Sequence, residues 1–238
     1  SSEFHVKPRA SLSRLARLCP PDLAISGMNG VDPLQRVAPD TGGVDAINLV
    51  SIGVDILKLD SPIGTKDGAK DIAWQIGHHG GQLIYGGGKN GLMGEVAEAT
   101  AQAGGRVVGI IPQALQTLEN TRTHCDELHV VATMHERKRM MADRADVFVA
   151  LPGGIGTFEE FFEVWTWRQL GYHDKPVGLL NTAGYYDALL GFAHHSVQQG
   201  FLSDRQMDLI ETGDQPEALL QTLVQAAGFA PAAHSERI

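Results

Sequence analysis

The chain contains 238 residues, 43% of them hydrophobic, which is enough to bury one substantial core, so we expect one main folded domain. Its net charge of −9 and the lack of any Lys/Arg-rich run argue against a nucleic-acid-binding protein, so an anionic ligand would need a local site. The two cysteines have no disulfide or metal-ligand spacing, no apolar stretch could span a membrane, and no signal peptide is recognisable. These features predict a soluble cytoplasmic protein without a membrane partner.

The first 46 residues differ in character from the rest of the chain. They contain Pro20 and Pro21, scattered glycines and a short basic amphipathic stretch, ASLSRLARL (10–18). We expect an irregular N-terminal extension over 1–46 with at most one short helix, and its first residues, SSEF, resemble a cloning remnant. The pattern is regular from 47 to 228 and predicts a single domain there, followed by a C-terminal tail, 229–238.

Short apolar runs rich in valine, isoleucine and leucine recur along this domain and predict strands buried on both faces. They are INLVSIGV (47–54), QLIYG (82–86), RVVGII (106–111), LHVV (128–131), DVFVAL (146–151) and PVGLLN (176–181). Stretches with helical periodicity lie between and after them, several ending in glycine, at 67–80, 91–105, 134–145, 157–171, 185–200 and 215–228. The alternation predicts an α/β fold, an open and mainly parallel sheet with helices on both faces.

Ligands of open parallel sheets bind beyond the carboxyl ends of the strands, and the first glycine-rich loop, YGGGKNGLMG (85–94), falls at such an end. Gly86, Gly88 and Gly91 match the G-x-G-x-x-G spacing of a dinucleotide-binding turn. The next strand ends in IIPQAL, without the carboxylate that would bind a ribose hydroxyl, so we discount NAD. Either the loop is a tight turn, or its backbone at Gly87 and Gly88 approaches a phosphate or sugar.

The second glycine-rich loop, LPGGIGTFEE (151–160), gives a stronger signal. Gly153, Gly154 and Gly156 let the backbone come within hydrogen-bond distance of a ligand. Thr157 lies near the helix start, where free N–H groups and the helix dipole favour a phosphate. The lysine of a Walker loop is missing, so triphosphate chemistry is not implied. The alternative is an ordinary strand-to-helix turn.

Two adjacent carboxylates, Glu159 and Glu160, follow this loop, and we expect both in the first turn of the helix. One interpretation is that they only offset the helix dipole. The other is chemical. Glu160 shares a helical face with Glu163, Val164 and Trp167, and partial desolvation beside an aromatic surface would suit a carboxylate for acid–base work.

A basic segment, MHERKR (134–139), precedes the strand that leads into the second loop. On a helix, one face would carry Met134, Arg137, Met141 and Arg144. Arg137 could bind a phosphate, pair with Glu160, or belong to a solvated basic face.

The stretches GGGKNGLMG (86–94) and TMHERKRMMADRADVFVALPGGIGTFEEFFEVWTWRQLGYHDKPVGLLNTAGYYDALL (133–190) closely resemble the LONELY GUY (LOG) family. These enzymes are cytokinin riboside 5'-monophosphate phosphoribohydrolases, long labelled lysine decarboxylases. The PGGxGTxxE motif is complete from Pro152 to Glu160, as is the MHxRK motif from Met134 to Lys138, and the similarity covers about residues 65–225.

The resemblance implies a Rossmann-like fold and a homodimer or a larger assembly of dimers. It also implies hydrolysis of the N-glycosidic bond of a nucleoside 5'-monophosphate, typically an N6-substituted AMP, to a free base and ribose 5-phosphate. Arg137 and Glu160 would be the catalytic pair. The residues that would contact the substrate are Gly87, Gly88, Glu119, Lys138, Gly153, Gly154, Gly156, Thr157 and Glu159.

The implied reaction requires no metal, flavin or pyridoxal phosphate, and we expect no cofactor. Decarboxylation would need an electron sink such as pyridoxal phosphate on a lysine, and no lysine here is marked for that role. The adjacent pairs His78–His79 and His194–His195 point about 100° apart on a helix, so we expect surface histidines, not metal ligands. In GYYDALLGF (184–192) the side chains of Tyr186, Leu189, Leu190 and Phe192 predict a core or dimer contact.

One departure from the family concerns SIGVDILKLDSP (51–62), which lacks the Cys-Gly-Ser-Ser-like loop that usually lines the nucleotide site. Two other functions therefore stay open: a non-catalytic carrier of a nucleotide or of molybdenum cofactor on the same fold, and a broader AMP nucleosidase. The preferred base is not fixed by the sequence.

Overall fold

A computed structural model describes residues 48–52, 65–89, 91–116 and 125–229, all within one compact unit. The predicted N-terminal extension, most of the segment 51–62, Glu119 and the predicted tail after Phe229 lie outside the described residues. The domain limits given above therefore stay predictions.

Seven strands are present in the described part of the chain, and every pairing between neighbours is parallel. Their bounds are β1 Asn48–Ile52, β2 Gln82–Tyr85, β3 Arg106–Pro112, β4 Glu127–Val131, β5 Val147–Ala150, β6 Val177–Leu180 and β7 Ile210–Gly213. They form one sheet in the order β4-β3-β2-β1-β5-β6-β7, which confirms the predicted parallel α/β fold. The sequence did not predict β7, because its residues, IETG, form no apolar run.

Helices connect the strands and cover both faces of the sheet. Their bounds are α1 Thr65–His78, α2 Gly91–Gln102, α3 Gln113–Gln116, α4 Met134–Arg144, α5 Ile155–Leu170, α6 Asp187–Gln198, α7 Asp204–Met207 and α8 Pro216–Ala226. The longer helices match the predicted ones with small shifts at their ends. None of the helices in the described ranges is long and apolar enough to cross a bilayer.

The start of α5 corrects one expectation. The helix begins at Ile155, two residues earlier than predicted, and no acidic residue lies in its first turn. Glu159 and Glu160 therefore occupy the second turn, where the N-terminal end of the dipole acts on them less strongly.

Two apolar cores form because successive side chains of a strand point to opposite faces of the sheet. On β5, Val147 and Val149 pack into the core formed with α1, α2 and α8. Phe148 and Ala150 pack into the core formed with α4, α5 and α6. A strand buried on both faces must be apolar throughout, which is why DVFVAL reads as a continuous hydrophobic run.

The strand order creates a topological switch point next to β1. From β1 the chain builds β2, β3 and β4 towards one edge, then returns to place β5 on the other side of β1. The first glycine loop follows β2 and the second follows β5, so the two loops leave the carboxyl end of the sheet on either side of β1. In open α/β sheets this crevice is where ligands bind.

Candidate active site

The second glycine loop opens into α5 without a capping side chain. The N-cap is Gly154, with φ −98° and ψ −146°, and as a glycine it has no side chain with which to cap this end of the helix. A serine, threonine or aspartate at this position would normally accept a hydrogen bond from one of the first N–H groups. Gly154 leaves these donors to a ligand, and Thr157 lies fully buried in the same turn. The arrangement suits an anion held by backbone N–H groups at the positive end of the helix dipole.

Arg137 occupies the first turn of α4, whose start is fixed by a capping box between Thr133 and Glu136. Only 7% of Arg137 is exposed. Its Nη1 lies 3.6 Å from the thioether sulfur of Met134, and its buried Nε has no hydrogen-bond partner among the residues that the structure describes. The predicted alternative of a solvated basic face is therefore wrong for Arg137.

The guanidinium of Arg137 explains the first glycine of YGGGKNG. A Cβ on Gly86 would stand 1.8 Å from Nη2 and 2.9 Å from Cζ of Arg137. Gly86 therefore makes room for the guanidinium at the carboxyl end of β2. Gly87 has a φ of +78°, which favours glycine, and Gly86, Gly87 and Gly88 are all buried.

Among the residues that the structure describes, no carboxylate is found in an ion pair with Arg137. A buried cation without a counter-charge is costly, and its cost falls when an anion binds beside it. The guanidinium of Arg137 is thus suited to receive an anionic ligand at this edge of the sheet.

Lys138, the next residue on α4, has a different environment. Its Nζ lies 2.6 Å from Glu159 Oε1 and 2.9 Å from Glu163 Oε2, two carboxylates one turn apart on α5. Burial is the largest single influence and lowers the pKa of Lys138, but the hydrogen bonds and charges of the two glutamates outweigh it and raise the pKa overall. This ion triad joins α4 to α5, so it holds Arg137 in position relative to the second glycine loop.

Glu160 points to another side of α5 than Glu159. As predicted, Glu160 lies on one face with Glu163, Val164 and Trp167. These four residues line a cleft between α4 and α5, together with Lys138, Met141, Ala142 and Phe148. Most of this lining is apolar, and Glu160 is half-buried in it.

All but one of the predicted site residues lie at or next to the carboxyl edge of the sheet, namely Gly87, Gly88, Arg137, Lys138, Gly153, Gly154, Gly156, Thr157, Glu159 and Glu160. The exception, Glu119, lies outside the described residues. Their roles towards a substrate stay predictions. The predicted surface positions of His78, His79, His194 and His195 are confirmed, since all four are exposed. Within the described ranges, no cluster of three His, Cys, Asp or Glu side chains could hold a metal.

Sequence reasoning missed the hydrogen bonds that two tyrosines form with the second glycine loop. Tyr186 was expected to contact the core or a partner subunit, and it is buried in the core. Its hydroxyl also donates to the Leu151 carbonyl at 2.5 Å, while the hydroxyl of Tyr185 donates to the Gly153 carbonyl at 2.6 Å. Phe192, expected on the same face, is 66% exposed and lies outside the core.

Comparisons with known proteins agree with this geometry. Residues 93–223 match the profile of a family described as "Possible lysine decarboxylase". The chain is 45% identical over 162 residues to the cytokinin riboside 5'-monophosphate phosphoribohydrolase LOG3 of Arabidopsis thaliana, covering 68% of this chain and 75% of the relative. It is 47% identical over 158 residues to the probable enzyme of the same activity LOGL9 of Oryza sativa subsp. japonica, covering 66% and 70%.

Solved structures are similar in fold. The X-ray structure of TM1055, a structural genomics target, superposes with a TM-score of 0.57 at 25% identity and covers 75% of this chain and 99% of that one. The molybdenum cofactor carrier protein of Chlamydomonas reinhardtii gives a TM-score of 0.56 at 21% identity, covering 77% and 99%, which shows a shared fold alone. The family profile matches more than half of this chain, and the plant relatives share nearly half of their residues with it over two thirds of its length. The chain therefore belongs to the LONELY GUY family.

Proposed function

We propose that this protein hydrolyses the N-glycosidic bond of an N6-substituted adenosine 5'-monophosphate and releases the free base and ribose 5-phosphate. The observation that carries the proposal is the buried guanidinium of Arg137, which forms no ion pair with a carboxylate of the described residues. It lies beside one glycine loop and next to the helix that begins at Gly154 after the other. The names of the plant relatives describe the same reaction on cytokinin riboside 5'-monophosphates.

The 5'-phosphate is the group that the second glycine loop would hold. The N–H groups at the start of α5, with the hydroxyl of Thr157, would bind its oxygens, and Arg137 would supply the positive charge. Binding energy from the phosphate, which does not react, would then orient the sugar carbon C1′. The same substrate without its phosphate would lose this orientation.

Glu160 would act on the reacting carbon. As the bond between C1′ and the base nitrogen breaks, its electron pair leaves with the base, and positive charge develops on the sugar. A carboxylate in a partly desolvated cleft can stabilise that charge and orient a water molecule towards C1′. The water oxygen becomes the hydroxyl at C1′, and the proton it releases is transferred to the departing base. This reaction involves no change in oxidation state and requires no cofactor.

The decarboxylase in the family description is a poorer fit to Lys138 and Lys175, the two lysines of the described residues whose pKa is shifted. A lysine that forms a Schiff base is activated by a lowered pKa. The pKa of Lys138 is raised, with its Nζ held by two carboxylates. Burial lowers the pKa of Lys175, but its Nζ donates to the Ala142 carbonyl at 2.6 Å and the Asp143 carbonyl at 3.3 Å at the end of α4.

We further propose that the protein works in the cytoplasm as a homodimer or an assembly of dimers. Large apolar side chains are exposed on α5, on α6 and just after α6, namely Phe162, Leu170, Phe192 and Phe201, and burial between subunits would remove them from water. Sedimentation of the purified protein gives its oligomeric state directly.

Incubation with AMP, N6-isopentenyl-AMP, GMP and CMP, followed by chromatography of the products, tests the proposed reaction. We expect release of base and ribose 5-phosphate to be fastest from the N6-substituted substrate. Equal rates on AMP would indicate a broader nucleosidase. Tight binding with no release of base over hours would instead support the carrier and contradict the proposal.

A further inference from the structure

A strained turn follows β6 and lies against the second glycine loop. Ala183 has φ +50° and ψ +31°, and it is the only residue other than glycine with a positive φ in the described part of the chain. Gly184 follows with φ +71°, and a Cβ there would stand 2.5 Å from Asp187 Oδ2. Backbone strain of this kind persists only where the surrounding contacts impose it, and it often occurs at functional sites.

The side chain of Asn181 imposes this conformation. Its Oδ1 accepts a hydrogen bond from the Tyr186 N–H at 2.7 Å, and its Nδ2 donates to Asp187 Oδ1 at 2.8 Å. Its own N–H donates to the Gly213 carbonyl at 2.8 Å, which ties the turn to β7. The turn is therefore fixed to the sheet, and the two tyrosines that follow Gly184 are held in place.

These tyrosines contact the glycine loop through its carbonyl groups. Tyr186 is buried, packs edge-to-face on Phe158 of α5, and donates its hydroxyl to the Leu151 carbonyl. Tyr185 is 39% exposed and donates its hydroxyl to the Gly153 carbonyl. Burial raises the pKa of Tyr186, with a smaller contribution from Tyr185, so its hydroxyl stays protonated as a donor.

The two hydrogen bonds have different consequences for the loop. The Leu151 carbonyl belongs to the peptide bond with Pro152, which has no N–H to offer a ligand. The Gly153 carbonyl belongs to the peptide bond with Gly154, and in a trans peptide the C=O and N–H point in opposite directions. With its carbonyl held by Tyr185, this peptide directs the Gly154 N–H away from the tyrosine. No described residue accepts a hydrogen bond from that N–H.

We propose that Tyr185 is a positioning residue for the phosphate-binding loop, because its hydroxyl fixes the orientation of the Gly153–Gly154 peptide. Tyr186 anchors the base of the same loop. Two consecutive glycines would otherwise sample many orientations, and ordering them would reduce the affinity for phosphate. The identity of the substrate in this assignment rests on the proposed function. The role of Tyr185 in the loop requires only that the loop binds a phosphorylated sugar.

The test compares Tyr185→Phe with Tyr172→Phe, a matched change at a tyrosine that is 67% exposed and makes no hydroxyl hydrogen bond to a described residue. The readouts are affinity for ribose 5-phosphate by calorimetry, kcat and KM for N6-isopentenyl-AMP and for its riboside, and the melting temperature. We expect Tyr185→Phe to weaken ribose 5-phosphate binding and raise the KM of the nucleotide by about 3–10-fold, as the loss of a hydrogen bond implies. Its kcat, its activity on the riboside and its melting temperature should match those of Tyr172→Phe.

Each outcome decides one question. Weaker ribose 5-phosphate binding by Tyr185→Phe in a protein that hydrolyses nothing would support the positioning role and contradict the enzymatic function. Unchanged binding and kinetics in an active Tyr185→Phe enzyme would overturn the positioning role and leave the function intact. Equal losses on nucleotide and riboside would also overturn it, because a merely structural role affects both substrates. No binding of ribose 5-phosphate by the unmodified protein would refute the loop as a phosphate site.

Discussion

Substitution of Gly86 by alanine tests whether the position of Arg137 matters for turnover. The new methyl group would stand 1.8 Å from Nη2 of Arg137 and 3.3 Å from the sulfur of Met93. Since non-bonded atoms settle near 3.5 Å, the guanidinium must move by about 1.7 Å or more. The group that moves is the end of a flexible side chain, so the fold should survive at a cost of about 1–3 kcal/mol, typical of an overpacked site.

Activity should suffer far more than stability. Displacement of a substrate-orienting group by 1 Å or more can lower the rate by about 100-fold, and we expect such a loss in kcat/KM for N6-isopentenyl-AMP. Gly191→Ala is the matched control, because Gly191 is an exposed residue of α6 with nothing within 4 Å of an added Cβ. That variant should keep full activity and gain up to about 1 kcal/mol in stability.

A double-mutant cycle identifies the cause of the loss. If Gly86→Ala acts by displacing the guanidinium, it should have little further effect on kcat/KM in an Arg137→Ala background. Steady-state kinetics and urea unfolding of the four proteins supply the numbers. A folded Gly86→Ala protein with full activity would refute the reasoning, as would losses that simply add in the double mutant.

Three further predictions concern α5 and its neighbours. Glu160→Gln should lower kcat by about 10²–10⁴-fold with little change in folding stability. Glu159→Gln, in the same turn, should change kcat far less. Equal activities of the two variants would show that Glu160 takes no part in the reaction. Lys138→Met should reduce the free energy of unfolding by about 1–2 kcal/mol in urea titrations, because it leaves Glu159 and Glu163 without their cation; unchanged stability would show that the ion triad contributes nothing. His173→Gln should flatten the loss of stability between pH 7.5 and pH 5, measured as unfolding free energy; a slope equal to that of the unmodified protein would contradict this.

The sign of the His173 effect follows from its surroundings. Burial lowers its pKa below the usual 6.5, the charges of Lys175 and Arg168 act in the same direction, and the hydrogen bond to Val164 and the charge of Asp174 oppose them. Nε2 lies 3.0 Å from the Val164 carbonyl, which can only accept, and Nδ1 accepts from the Lys175 N–H at 3.2 Å. The folded state therefore needs the neutral ring. Its contribution to stability is present above pH 6.5 and is lost as the pH falls through the lowered pKa.

The sequence predicted the sheet well because strands buried on both faces must be apolar. DVFVAL and RVVGII are short apolar runs between helical stretches, which is the pattern of buried parallel strands. The same signal failed for β7, an edge strand with two polar residues among four, which is only partly buried. Local propensity also misplaced the start of α5, because Ile155 and Gly156 are helical although they follow directly on two glycines.

The site was predictable in its motifs and unpredictable in its contacts. Composition and spacing indicated the second glycine loop and the face that Glu160 shares with Trp167. They could not show that Gly86 accommodates Arg137, because that contact joins residues 51 positions apart on separate elements. Nor could they show that Lys138 pairs with two carboxylates of α5, or that tyrosines after β6 donate to carbonyls after β5. Such contacts depend on the packing of the whole domain.

The central claim is that the loop after β5 binds the 5'-phosphate and that this binding orients the bond to be cleaved. Its most direct test is the ratio of kcat/KM for N6-isopentenyl-AMP to kcat/KM for the corresponding riboside, measured on one preparation. Two or three charge-assisted hydrogen bonds to the phosphate imply a preference for the nucleotide of at least about 10²-fold. Equal values for nucleotide and riboside would contradict the claim, because a substrate that leaves the loop empty would then react as well as one that fills it.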